Sequence, residues 1–296
     1  MQWYLVSNVC KILYADVVQI SGSNYALIAQ EIHANGSITN KLNSHNFLPL
    51  GSALKAIREI LCGLEYLHYN SIIHNDIKPS NILINSNNQA LLTDYGISGV
   101  SPACGPTTPK NAYILHRAPE TATATPTISH STDIFQLGIT LFRLLNGITT
   151  IESEFARLGQ AQFEAVKASG KLITKSSHLP FIPQAVKRVI EKSTNPDPSK
   201  RFASALEMRR EVEKLNYAGS WDVDSTGNYI GVGNEYEYRY EISAKPNSQF
   251  DLIAYKKNKK SGRETKIKEY THLAIDEKAK TSNMQQFMLW VVENAS

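Results

Sequence analysis

Three short clusters in a fixed order constrain this chain more than any other feature. His74-Asn75-Asp76-Ile77-Lys78-Pro79-Ser80-Asn81 comes first, Asp94-Tyr95-Gly96 follows, and Ala118-Pro119-Glu120 closes the series. Together they supply an acid, a basic partner and two oxygen-bearing side chains of the kind that suits a hard divalent cation. One such triplet can arise by chance; three in series, with short gaps and fitting elements between them, form a constellation.

Composition sets the frame around them. The 296 residues suffice for one large domain, or one domain plus a small second one. At 42% hydrophobic and 20% charged the balance is that of an ordinary globular protein. A net charge of +4 is too slight to argue for nucleic acid. Cys10, Cys62 and Cys104 are far apart and odd in number, which points to reduced thiols and a cytoplasmic protein. No apolar run approaches the ~18 residues of a membrane span, so no membrane partner is expected. Met-Gln-Trp-Tyr-Leu lacks the basic start and apolar core of a cleaved leader.

Local patterns place elements around the clusters. Residues 12–20 are apolar and β-branched, Ser21-Gly22-Ser23-Asn24 reads as a turn, and 25–31 read as a second strand of the same hairpin. Leu54, Ile57, Ile60, Leu61, Leu64 and Leu67 recur at helical spacing over 51–70. Ile82–Ile84 and Ala90–Leu92 flank a polar turn and predict a short hairpin. Residues 97–117, rich in Gly, Pro, Ser and Thr, predict a loop. An apolar helix begins near Asp133, with Ser131 or Thr132 as N-cap, and stops at Asn146-Gly147. Further helices are expected at about 151–169, 183–193 and 202–216, and strands at about 236–243, 250–256 and 265–270 before a closing helix over about 275–292.

The order His-x-Asp-x-Lys-x-x-Asn, Asp-x-Gly, Ala-Pro-Glu resembles the catalytic half of the eukaryotic-like Ser/Thr protein kinases. Asp197-Pro198-Ser199-Lys200-Arg201 resembles a further signature of that family. The resemblance implies an α+β, protein kinase-like fold with a truncated N-lobe and a complete helical C-lobe, followed by a small β-rich/α C-terminal domain. Residues 1–33 are then a remnant of the N-lobe with the hinge near Glu31, 34–216 the C-lobe, and 217–296 an accessory domain. The implied reaction is phosphoryl transfer from Mg-ATP to Ser/Thr hydroxyls of a protein substrate. Asp76 is the implied base and Lys78 the charge stabiliser. Asn81 and Asp94 are the implied Mg²⁺ ligands, with Glu31 and Leu83 also at the nucleotide. His74, Tyr95, Glu120, Asp133 and Arg201 take structural roles: Glu120 pairs with Arg201, and Asp133 receives backbone N–H groups of the catalytic loop.

Several residues depart from the family pattern. Asn75 stands where many kinases have an Arg that pairs with a loop phosphate, which argues against switching by phosphorylation at Ser98, Ser101, Thr107 or Thr108. Tyr113 falls about where a Thr that touches Lys78 and Asp76 is expected. Tyr95 replaces Phe. Only about 70 residues precede the first cluster, and they hold no Gly-x-Gly-x-x-Gly, no third-strand Lys and no helix with a partner Glu. The nucleotide phosphates therefore lack a roof. A shortened gene product, a pseudokinase acting as a protein-binding scaffold, and a roof supplied by another segment or a partner all account for this.

The C-terminal residues bear on the last option. Tyr229-Ile-Gly231-Val-Gly233 precedes an apolar strand ending in Lys256, a faint likeness to a displaced N-lobe, with Glu269 or Glu277 as partner for the Lys. An accessory β-rich domain is the simpler expectation. Lys256, Lys257, Lys259, Lys260, Arg263, Lys266 and Lys268 form a basic run that reads as a solvated hairpin tip, without the interleaved aromatics of a nucleic-acid surface.

Overall fold

The computed structural model describes residues 8–95 and 113–295. The chain opens with an antiparallel hairpin, β1 (Ile12–Ile20) and β2 (Ser23–Gln30). Its turn is tighter than the sequence suggests. Ser23 and Asn24 already lie in β2, because Ser21 and Gly22 both take positive φ, the geometry of a two-residue hairpin turn. The hairpin is the least covered part of the molecule: Val17 is 66% exposed, and Leu13, Tyr14, Ile20 and Tyr25 are also open to solvent.

The lower lobe is built on α1 (Leu50–Tyr69) and α2 (His130–Asn146). The helical stripe seen in the sequence of α1 is its buried face, including Leu54, Ile57, Ile60, Leu61, Leu64 and Leu67. Each such side chain contributes roughly 1.5–3 kcal/mol on burial. Gly63 interrupts this helix for a reason: a Cβ there would come within 2.4 Å of the Asn8 carbonyl oxygen. The close approach lets residues 8–10 lie along α1 and bridge to Leu92, through Cys10 N–H to Leu92 O at 2.7 Å and Leu92 N–H to Asn8 O at 3.0 Å. The exposed hairpin is thus rooted in the core at its base.

A second short hairpin, β3 (Ile82–Ile84) and β4 (Ala90–Leu92), follows the first sequence cluster. Helix α2 is buried along almost its whole length. Its N-cap is Ser129 rather than Ser131 or Thr132. The Ser129 hydroxyl accepts from Ser131 N–H, and Thr132 sits at the third helical position, accepting from Ser129 N–H to close a capping box. Helices α3 (Thr150–Ala168, bent at Gly159), α4 (Gln184–Ser193) and α5 (Ala205–Glu213) complete this lobe, with α5 packed along α1.

Residues beyond 217 form an antiparallel sheet of β5 (Ser220–Val223), β6 (Tyr229–Val232), β7 (Tyr236–Lys245), β8 (Gln249–Asn258), β9 (Glu264–Lys266) and β10 (His272–Ile275), with α6 (Glu277–Asn294) across it. The strand order is β10-β8-β7-β6-β5, with β9 alongside β8. Buried Trp221 donates its indole N–H to Met288 O at 2.8 Å. Gly231 and Gly233, read above as a faint phosphate-loop pattern, are packing glycines. A Cβ at Gly231 would meet Tyr238 Cβ at 2.9 Å, and one at Gly233 would meet Ala295 O at 2.7 Å. Lys256 lies over the Tyr236 ring. The sheet joins the lower lobe through Asn43, which donates to Asp222 at 2.9 Å, and through Tyr229, set against His45, Phe47 and Phe181. This segment is therefore packed against residues 43–47 and Phe181 of the lower lobe, and its two glycines are used in its own packing. Among the described residues the main apolar cluster includes side chains of the lower lobe, from Ile38 onward, and of the sheet and α6, to Ala295; Ala118, Phe135 and Ile139 form a smaller cluster.

Candidate active site

The site is a loop held from below by one face of α2. Asp133, Gln136 and Thr140 are spaced three and four apart, so they share that face. Asp133 accepts from His74 N–H at 2.9 Å and Asn75 N–H at 2.7 Å. Gln136 accepts from Ile77 N–H and donates to Asn75 O, both at 2.9 Å. Thr140 donates to Gln136 O at 2.9 Å and lies 3.3 Å from Ile77 O. Sequence reasoning singled out Asp133 but missed the other two. Their signal is present in the sequence: they are polar residues set among the apolar positions of the helix, at the spacing that puts them on the face of Asp133.

The loop is further fixed by His74, which is fully buried. Its Nε2 donates to Thr93 O at 2.9 Å and its Nδ1 accepts from Asp76 N–H at 3.3 Å. Burial holds its pKa below the ordinary imidazole value, against the opposing pull of Asp133. Asn75 has φ of +57°, a conformation that Asn tolerates better than most residues.

On this support Asp76, Lys78 and Asn81 converge. Lys78 Nζ is 2.7 Å from Asp76 Oδ2, and both side chains are about a quarter exposed. The Asn81 amide N–H group donates to Asp76 Oδ2 at 2.8 Å and to Asp76 O at 2.9 Å. With its nitrogen committed to Asp76, Asn81 turns its amide oxygen to other use. The Tyr113 ring lies 5.0 Å from Lys78 Nζ, so an aromatic face stands beside the pair.

The remaining candidates lie around this centre. Asp94 is exposed, with φ of +63°, and no hydrogen bond or ion pair joins it to Asp76, Lys78 or Asn81. Glu31 closes the base of the first hairpin, its N–H donating to Lys11 O at 3.2 Å. Leu83 is half-buried on β3, between two buried isoleucines. Cys10 sits between these groups. Burial raises its thiol pKa, and the charges of Glu31 and Asp94 add to that. Thr93 donates to Gln30 at 2.9 Å and so ties the hairpin base to the residue before Asp94. Tyr95 donates its hydroxyl to Cys10 O at 2.8 Å. Gly96, Cys104 and the loop hydroxyls Ser98, Ser101, Thr107 and Thr108 lie outside the described residues.

Two ion pairs brace the segment that follows. Arg201 forms a forked pair with Glu120, both contacts at 2.8 Å, and its guanidinium lies 4.8 Å from the Phe135 ring. Lys167, almost wholly buried, donates to Ile114 O at 2.9 Å and pairs with Glu164 at 3.1 Å. Burial pulls its pKa down to about 8.

The oxygen donors fit a hard cation. The Asn81 amide oxygen, whose nitrogen is committed to Asp76, accepts only a long 3.4 Å contact from the Ser80 hydroxyl among the described residues, and Asp94 is a carboxylate open to solvent. Among the described residues no group of three or more His, Cys, Asp or Glu forms a metal cluster, so an ion held here takes its other ligands from phosphate or water.

Comparison with known proteins agrees with this geometry. The protein kinase domain matches residues 5–212. The serine/threonine-protein kinase STY46 of Arabidopsis thaliana is 29% identical over 69% of the chain and 36% of its own length. The probable serine/threonine-protein kinase PknB of Lactococcus lactis is 28% identical over 67% of the chain and 31% of its own. PrkC of Bacillus subtilis, also a serine/threonine-protein kinase, is 32% identical over 54% of the chain and 24% of its own. The chain spans about a third of the length of the first two relatives. The match across the lobe that holds Asp76, Lys78 and Asn81, together with these relatives, shows that the chain belongs to the protein kinase family, in its eukaryotic-like serine/threonine branch.

Proposed function

We propose that the chain transfers the terminal phosphoryl group of Mg-ATP to Ser or Thr hydroxyls of a protein. The observation that carries this reading is the convergence of Lys78 and Asn81 on the carboxylate of Asp76. Asp76 orients the acceptor hydroxyl and takes its proton as the new P–O bond forms and the bond to the ADP oxygen breaks. Lys78 sits where it offsets charge on the transferring group. Asn81 and Asp94 would hold Mg²⁺, which neutralises phosphate charge when bound. Glu31 and Leu83 flank the nucleotide at the hairpin base and on β3. We place the boundaries of the three parts at 33 and 216. The first is an upper-lobe remnant, the second the catalytic lobe and the third an accessory domain. Among the described residues Cys10 and Cys62 are free thiols, which supports a reducing, cytoplasmic setting. Among the described residues no single helix is long and apolar enough to cross a membrane.

One observation favours a second reading, a protein-binding scaffold with weakened catalysis. Residues 12–30 carry no Lys or Arg, so the hairpin above the site brings no cation to the phosphates. Calorimetry with Mg-ATP separates the two. Micromolar, Mg-dependent binding that Asp94→Ala abolishes supports phosphoryl transfer; absence of binding supports the scaffold.

A further inference from the structure

A cavity of about 260 Å³ adjoins the site. Its walls include Thr39, Lys78, Ser80, Tyr113, Arg143 and Glu152. Lys78 lines it and lies 2.7 Å from Asp76, so the cavity is within reach of a residue flanking a hydroxyl held at Asp76. Its charges are unequally available. Lys78 is paired with Asp76 at 2.7 Å. The Arg143 side chain is 3% exposed and its donors point inward: Nε and Nη2 to Ile148 O at 2.8 and 2.7 Å, and Nη1 to His116 Nε2 at 2.7 Å. His116 accepts because it is neutral; burial, followed by Arg143 itself, depresses its pKa. Arg143 Nη2 also grips Glu152 Oε1 at 2.5 Å. Glu152 is 45% exposed, and its second carboxylate oxygen has no partner among the described residues.

The buried arginine thus holds a carboxylate at the cavity wall; the pair is neutral overall, and the atom it leaves open to solvent is a carboxylate oxygen of Glu152. We propose that Glu152 selects substrates with a basic residue flanking the phosphorylated Ser or Thr, and that Arg143 is its positioning residue. The inference rests on the phosphoryl-transfer reading for its biological meaning, and goes beyond it by naming the substrate class. The exposed Tyr113 ring, which also lines the cavity, offers a face on which a guanidinium can stack.

The test is binding of fluorescent peptides to the full chain at low salt. Each peptide carries one Ser in a neutral background, with Arg or Glu scanned through the flanking positions, and phosphorylation of the same peptides is scored in parallel. Arg at one position should tighten binding roughly two- to fivefold, as expected for a partly exposed ion pair in the upper part of its range. Glu152→Gln, which keeps a hydrogen bond to Arg143 available, should erase the preference, and Glu152→Lys should turn it toward Glu. Equal ranking of the peptides by wild type and Glu152→Gln, or no binding of any peptide, overturns the inference. Phosphorylation without preference overturns it while leaving phosphoryl transfer intact. Preference without phosphorylation upholds the subsite and counts against catalysis.

Discussion

The amide of Asn81 lies 2.8 Å from the carboxylate of Asp76, on the same oxygen that Lys78 approaches to 2.7 Å. One carboxylate oxygen is therefore held by two donors, and in the proposed reaction the other is left for the acceptor hydroxyl. Asn81→Ala removes one of these donors and the amide oxygen together. It is expected to lower transfer at least tenfold and to raise the Mg²⁺ concentration needed for half-maximal rate, measured by titrating the ion at fixed ATP.

The forked pair between Glu120 and Arg201 is buried on the arginine side. Arg201→Ala leaves Glu120 without its partner, a loss that typically costs about 3–5 kcal/mol. Urea denaturation of the two proteins measures this directly, and a difference under about 1 kcal/mol would show that the pair is not needed for stability.

Asp133 accepts two backbone N–H groups and lies 2.8 Å from His68 Nε2. Asp133→Ala strands those groups inside the protein, at about 1–3 kcal/mol each. The variant should melt at lower temperature and lose transfer activity, while a surface variant such as Lys260→Ala should change neither.

Lys167 gives a pH prediction. Its folded pKa of about 8 lies below the ordinary lysine value of 10.5, so between these pH values the unfolded chain holds a proton that the folded chain lacks. Stability contributed at this position therefore rises with pH across that window and is lost as pH falls through 8. The full shift corresponds to about 3 kcal/mol. Lys167→Met should flatten the pH dependence of unfolding between pH 8 and 10.5 relative to wild type.

Trp221 belongs to the core that also contains the α1 and α2 side chains. Trp221→Ala should cost about 3–5 kcal/mol. Continuity of the core predicts one unfolding transition, shifted as a whole, rather than separate melting of the sheet. Coincident denaturation curves by tyrosine fluorescence and far-ultraviolet circular dichroism check this.

Much of the catalytic loop was legible because its residues are close in sequence: Asp76, Lys78 and Asn81 meet through local backbone geometry. The long apolar periods of α1 and α2 were legible for the same reason. The Arg143–His116–Glu152 arrangement was not, since residues 116 and 143 meet only when α2 packs against the segment that precedes it. The N-cap was misplaced by two or three residues because Ser129, Ser131 and Thr132 all have capping side chains, and only the backbone turn chooses among them. Strands β5 and β10 were missed: each is only four residues long, which gives period-two alternation little room to show. The glycines at 231 and 233 misled because a requirement for close packing leaves the same sequence mark as a phosphate loop.

The most direct test of the account is transfer of labelled phosphate from Mg-ATP to a Ser-containing peptide by the full chain, beside Asp76→Asn. The account predicts measurable transfer by wild type and a loss of about 10²–10⁴-fold in the variant, with ATP affinity unchanged. Transfer at equal rates by both proteins, or none by wild type, would contradict it.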